Sequence, residues 1–72
     1  MNEDAELILF GQKIRQVRER EGISVAELAV RSGIAVQMIN ALEAGRLDPP
    51  FDLMIAVADG LGVRLSVLIP AD

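Results

Sequence analysis

The chain has 72 residues, 51% of them apolar, with no cysteine, no histidine, and 7 basic against 11 acidic side chains for a net charge of −4. That length makes one small domain, 1–72, with a single core that buries only about 60% of the unfolded surface. The missing residue types exclude disulfides and take away the usual metal ligands and the usual general base, so no metal, no cofactor and no enzymatic activity are expected.

No apolar run approaches the roughly 20 residues needed to cross a bilayer, and Met1-Asn2-Glu3-Asp4-Ala5-Glu6 lacks the basic start of a secretory signal. A soluble, cytoplasmic protein without a membrane partner is therefore expected. The apolar share exceeds what so small a globule can hide, which points to a protein partner, most simply a second copy of the chain.

From Ala5 to Glu21 the apolar positions Leu7, Phe10, Ile14 and Val17 step by three and four and so share one face of a long first helix. Ile8 and Leu9 lie off that face, either covering the end of the globule or touching another chain. Gly22 ends the helix. Ser24 and Glu27 form a capping box, which starts a second helix at Val25. Leu28, Ala29 and Ser32 continue it until Gly33, a residue that tolerates positive φ. Small Ala29 is placed between this helix and the next. Val36, Ile39 and Leu42 then recur with helical period until Gly45. Met38 reads as plain helix surface or a core edge. Two short helices joined at a glycine corner make a helix-turn-helix over about 24–46.

The two prolines of Leu47-Asp48-Pro49-Pro50 force a loop. Phe51, Met54, Val57, Ala58 and Leu61 mark a fourth helix, with Asp52 in its first turn and Gly62 closing it. A short fifth helix over Leu65 to Ile69 ends before Pro70. Leu65, Val67, Leu68 and Ile69 are too many apolar residues for one short helix to bury, so part of this surface is expected to form a two-fold interface. The alternative is that they close the core against Leu7 to Phe10.

Arg18 lies four residues beyond Ile14, and Glu43 four beyond Ile39, so both charges point partly inward. The economical arrangement is a bidentate pair joining the first helix to the end of the third; two independent solvated charges are the alternative. Arg15, Arg20, Arg31 and Arg46 are candidates for a locally basic face, or scattered solvated charges. The acids of residues 2–6 and 48–59, with Asp72, lie away from the motif turn. Glu3, Asp4 and Glu6 are the one tight carboxylate cluster and read as solvating charge at a fraying terminus.

Several of these residues carry a resemblance. Ala29, Gly33, Ile39 and Leu42 fall where the Cro/cI-type (XRE-like) helix-turn-helix transcriptional regulator family has its alanine, glycine, isoleucine or valine, and leucine. Ile14-Arg15-Gln16-Val17-Arg18-Glu19 resembles the family's first helix. Leu42-Glu43-Ala44-Gly45-Arg46 is similar to its L-E-x-G-[KR] exit, and Ala58-Asp59-Gly60-Leu61-Gly62-Val63 to its A-x-x-L-G-V stretch. The resemblance covers roughly 11–69. It implies an all-α, five-helix, lambda-repressor-like DNA-binding domain, with an arginine–glutamate pair at Arg18 and Glu43.

It further implies that the helix 35–44 enters the major groove of double-stranded DNA, as the second motif helix of such proteins does. The groove-facing set is then Val36, Gln37, Asn40 and Ala41. Gln37 can present donor and acceptor to adenine, Val36 can meet a thymine methyl, and Asn40 and Arg46 can hold phosphates. A homodimer would set two such helices about 34 Å apart. Three positions depart from the pattern. Val25 stands for a frequent phosphate-binding glutamine, Ala35 for a capping hydroxyl residue, and Asp48 for a neutral or basic residue. With the acidic net charge, these departures favour an alternative: a helix-turn-helix that binds protein, as an antitoxin-like or adaptor module.

Overall fold

The computed structural model describes residues 3–70. The expectations for Met1, Asn2 and Asp72, and for the carboxylates of Glu3 and Asp4, lie outside the described residues. Five helices follow in order: α1 (Glu3–Arg20), α2 (Val25–Ser32), α3 (Val36–Glu43), α4 (Phe51–Leu61) and α5 (Leu65–Leu68). No strand occurs among the described residues.

Local chemistry sets these boundaries. The α2 start is the expected capping box, with the Glu27 amide donating to Ser24 Oγ at 3.0 Å and the Ser24 amide to Glu27 Oε1 at 3.5 Å. α1 begins two residues before Ala5 and stops at Arg20, one residue short of Glu21. There the chain folds back, with the Gly22 amide donating to the Glu19 carbonyl at 3.0 Å and the Ile23 amide to that of Arg18 at 3.2 Å. α5 ends at Leu68, not Ile69. Ile69 is already extended, at φ −83 and ψ 127, as a residue preceding proline must be.

One core joins all five helices. Phe10, Ile14 and Val17 of α1 meet Leu28 of α2, Ile39 and Leu42 of α3, Val57, Ala58 and Leu61 of α4, and Leu68 of α5. Ile23 and Ile34 plug the two intervening turns. Each fully buried aliphatic chain contributes about 2 kcal/mol of transfer free energy, which matters because eight-residue helices such as α2 and α3 are not stable alone. Leu7 is only half-buried. Phe51 departs from the expected pattern: it is 65% exposed, because it occupies the first position of α4, where the helix has not yet reached the core.

The helices pack chiefly as α1 on α3 and α2 on α4. Ala29 is half-buried beside the core, and two glycines inside helices also mark close approaches. A Cβ on Gly60 of α4 would stand 3.0 Å from Leu28 Cδ1 and from Ser32 Cβ. A Cβ on Gly11 of α1 would fall on the main-chain carbonyl oxygens of Leu42 and Glu43. α1 thus meets the last turn of α3 backbone to backbone.

A side-chain clamp closes the same junction. Arg18 donates from Nε to Glu43 Oε2 at 2.7 Å and from Nη2 to Glu43 Oε1 at 3.1 Å. Its Nη1 reaches the Ile23 carbonyl at 3.0 Å. The two side chains are 11% and 7% exposed, and Arg15 Nε lies 3.7 Å from Glu43 Oε1. The hydrogen bond to Glu43 raises the Arg18 pKa above the ordinary arginine value against the opposing effect of burial. A raised arginine contributes stability at every pH below its unfolded value and loses it only as pH climbs through the folded one, so Arg18 keeps its charge throughout the neutral range.

Two outcomes are expected in urea or thermal unfolding. Arg18→Ala loses about 3 kcal/mol, since it leaves the Glu43 carboxylate buried without its main partner; a midpoint equal to wild type would mean that the pair is solvated. Gly11→Ala loses about 2 kcal/mol although alanine is the better helix former by about 1 kcal/mol. A gain in stability for Gly11→Ala would show that the α1 and α3 backbones are not in contact.

Candidate nucleic-acid interface

The chain direction turns by 114° from α2 to α3, within the range of a helix-turn-helix corner. Gly33 makes the turn at φ 73, and its amide donates to the Ala29 carbonyl at 2.9 Å. Ser32 locks it further: its hydroxyl donates to the Leu28 carbonyl at 2.6 Å and accepts from the Ile34 amide at 3.2 Å. Met38 lies against this corner, lining a shallow groove with Ile34, Leu47 and Leu53. At 40% exposure it is helix surface, outside the packed core.

Burial decides which face of α3 looks outward. Ile39 and Leu42 are 0% and 1% exposed, so the opposite stripe is turned to solvent. Val36, Gln37 and Asn40 are exposed on it, and Ala41 is half-buried at its edge. Ala35 occupies the N-cap without any side-chain hydrogen bond. At the other end the Arg46 amide donates to the Ala41 carbonyl at 2.9 Å and the Gly45 amide to that of Leu42 at 3.1 Å, the Schellman pattern. Gly45 has φ 72, and a Cβ there would sit 2.9 Å from Ile8 Cα. Arg46 follows it, exposed. The structure thus brings Val36, Gln37, Asn40 and Ala41 to one face and leaves Arg46 beyond the helix end.

The basic face expected from four arginines is largely neutralised. Arg15 lies near Glu43, Arg20 Nε is 3.9 Å from Glu21, and Arg31 Nη2 is 3.6 Å from Glu27. Among the described residues, Arg46 is the member of that set with no carboxylate within ion-pair distance. Local sequence proximity explains two of these contacts: Arg20 adjoins Glu21, and Arg31 is four residues beyond Glu27 on α2.

The expected two-fold surface needs correction. Leu68 is 0% exposed, since α5 folds back so that this side chain enters the protein's own core. Leu65 packs beside it, half-buried. Leu68 is therefore closed to a partner. Val67 and Ile69 remain outside at 37% and 45% exposure. They line a groove of about 450 Å³ together with Leu9 of α1.

No single helix among the described residues is long and apolar enough to cross a membrane, and no cluster of carboxylates among them has the makings of a metal site.

The helix-turn-helix family model HTH_3 matches residues 14–68. An HTH-type transcriptional regulator of Sinorhizobium fredii, y4dJ, is 31% identical over 65 residues, which cover 89% of this chain and 84% of that protein. The restriction-modification controller protein C.AhdI of Aeromonas hydrophila superposes with a TM-score of 0.87 at 28% identity, over 90% of this chain and 98% of that one. The clp gene regulator ClgR of C. glutamicum gives a TM-score of 0.81 at 29% identity, over 85% and 80% of the two chains. The matched relatives are regulators and not enzymes. By its motif, its five-helix fold and the extent of these matches, this protein belongs to the helix-turn-helix (HTH_3) family of transcriptional regulators.

Proposed function

We propose that this chain is a sequence-specific transcriptional regulator that binds double-stranded DNA as a homodimer, with α3 in the major groove. The observation that carries the reading is the exposed stripe of Val36, Gln37 and Asn40 on a helix whose other side is anchored by Ile39 and Leu42. A helix held this firmly can present side chains to base edges in one orientation. Gln37 supplies a paired donor and acceptor for a base, and Arg46, free of carboxylates, supplies a phosphate contact.

The homodimer reading rests on Leu9, Val67 and Ile69, apolar residues exposed around one groove of α1 and α5. A second copy covering this groove removes that surface from water. A two-fold pair also meets the need for two recognition helices about one helical turn of DNA apart.

A protein-binding role for the same α3 face is the second reading, favoured by the net charge of −4 and by the carboxylates beside Arg15, Arg20 and Arg31. Retention on nonspecific duplex DNA separates the two: salt-dependent retention supports DNA binding, and none at low salt supports a protein partner.

Titrations against a sequence selected from a random DNA pool test the residue roles. Gln37→Ala is expected to cost about 1 to 3 kcal/mol and to relax preference at one position of each half-site, whereas Arg46→Ala weakens all sequences alike and flattens the salt slope. Equal losses across sequence variants for both would remove Gln37 as a reader. In light scattering at micromolar concentration, wild type is expected to have the mass of a dimer and Ile69→Glu that of a folded monomer. A monomeric wild type would end the dimer proposal.

A further inference from the structure

We infer that α3 reads A·T pairs, taking a substantial part of its discrimination from the thymine 5-methyl group through Val36. This rests on the DNA-binding role proposed above and names the base class that the site takes.

The argument is one of inventory and placement. The outward residues of α3 are Val36, Gln37, Met38 and Asn40, and none of them is charged. The ionised side chain of α3, Glu43, is 7% exposed and held by Arg18. Guanine offers two acceptors in the major groove and is read best by the fork of arginine or by lysine; cytosine offers a donor, read by a carboxylate. This helix presents neither a cation nor a free carboxylate. Arg46 lies past Gly45 at the C-terminal end of α3, whereas base edges are met by the N-terminal residues of a recognition helix.

What α3 does present suits one pair. Amides such as Gln37 and Asn40 match the adjacent donor and acceptor of adenine, and an apolar side chain matches the thymine methyl. Val36 is the first residue of α3 and 41% exposed. Its neighbour Ala35 places no capping hydroxyl or carboxylate over it, so its two methyl groups can approach a base without stripping water from a polar group. Burying one methyl against them is worth about fourfold in affinity. Because no ion pair is involved, that factor does not depend on salt.

Deoxyuridine provides the test, since it keeps the hydrogen-bonding edge of thymine and lacks only the methyl. The whole chain is titrated with a duplex selected from a random pool, in which each thymine of the half-site is replaced in turn. The expected result is a loss of about fourfold at one or more positions per half-site, constant between about 50 and 200 mM salt while overall affinity falls. Val36→Ala, which removes two exposed methyl groups and should keep its circular dichroism, is expected to narrow the gap between the thymine and deoxyuridine duplexes at that position, and Val36→Asn, which puts a polar amide there, to abolish it. Full affinity for a duplex with every thymine replaced, by a protein that still prefers its selected sequence over a scrambled one, overturns methyl reading and leaves DNA binding intact. A selected half-site of G·C pairs overturns it likewise. Failure to bind any duplex at low salt overturns both readings together.

Discussion

The junction of α1 with the last turn of α3 is where the structure depends most on one interaction. A helix C-terminus concentrates unpaired carbonyls and partial negative charge, so a carboxylate at Glu43 is poorly placed by local rules alone. Arg18 reverses that cost. Two of its donors take both oxygens of Glu43, and the third takes the Ile23 carbonyl of the α1–α2 turn. A single side chain thereby ties together the first helix, the turn leading into the helix-turn-helix, and the end of the outward-facing helix.

The backbone contact beneath the clamp makes it specific. With Gly11 against the carbonyls of Leu42 and Glu43, and Gly45 against Ile8, α1 and α3 approach more closely than side chains would allow. Ile39 and Leu42 then seat in the core without a gap, and the stripe carrying Gln37 cannot rotate away from solvent without exposing them. The orientation of the outward face of α3 thus derives from packing on its far side. Two eight-residue helices, each too short to persist alone, become a rigid corner because a longer helix holds one and α4 holds the other.

The electrostatics pull against the proposed role. An acidic chain is repelled by DNA at long range, and three of the five arginines other than Arg18 lie near carboxylates. Such a surface gains little from nonspecific phosphate binding. In the proposed role, discrimination must come from short-range contacts, consistent with an outward stripe of amides and aliphatic groups on α3.

Helix existence and order were legible in the sequence because their causes are local. The capping box at Ser24 and Glu27, the glycines after α1 to α4, and the prolines at 49–50 and 70 act within a few residues of the chain. The Arg18–Glu43 pair was legible as well, since helical spacing from Ile14 and Ile39 turned both charges inward. Other features required the fold. Gly11 and Gly60 stand inside helices, where glycine is locally unfavourable; that cost was the available signal of close contact, but the partner surfaces lie about thirty residues away in sequence. Likewise Leu65, Val67, Leu68 and Ile69 are equally apolar as letters. Only the path of α5 across α1 and α4 decided that Leu68 enters the core while Val67 and Ile69 stay outside, because burial is set by what another segment covers and not by the residue's own neighbours in the chain.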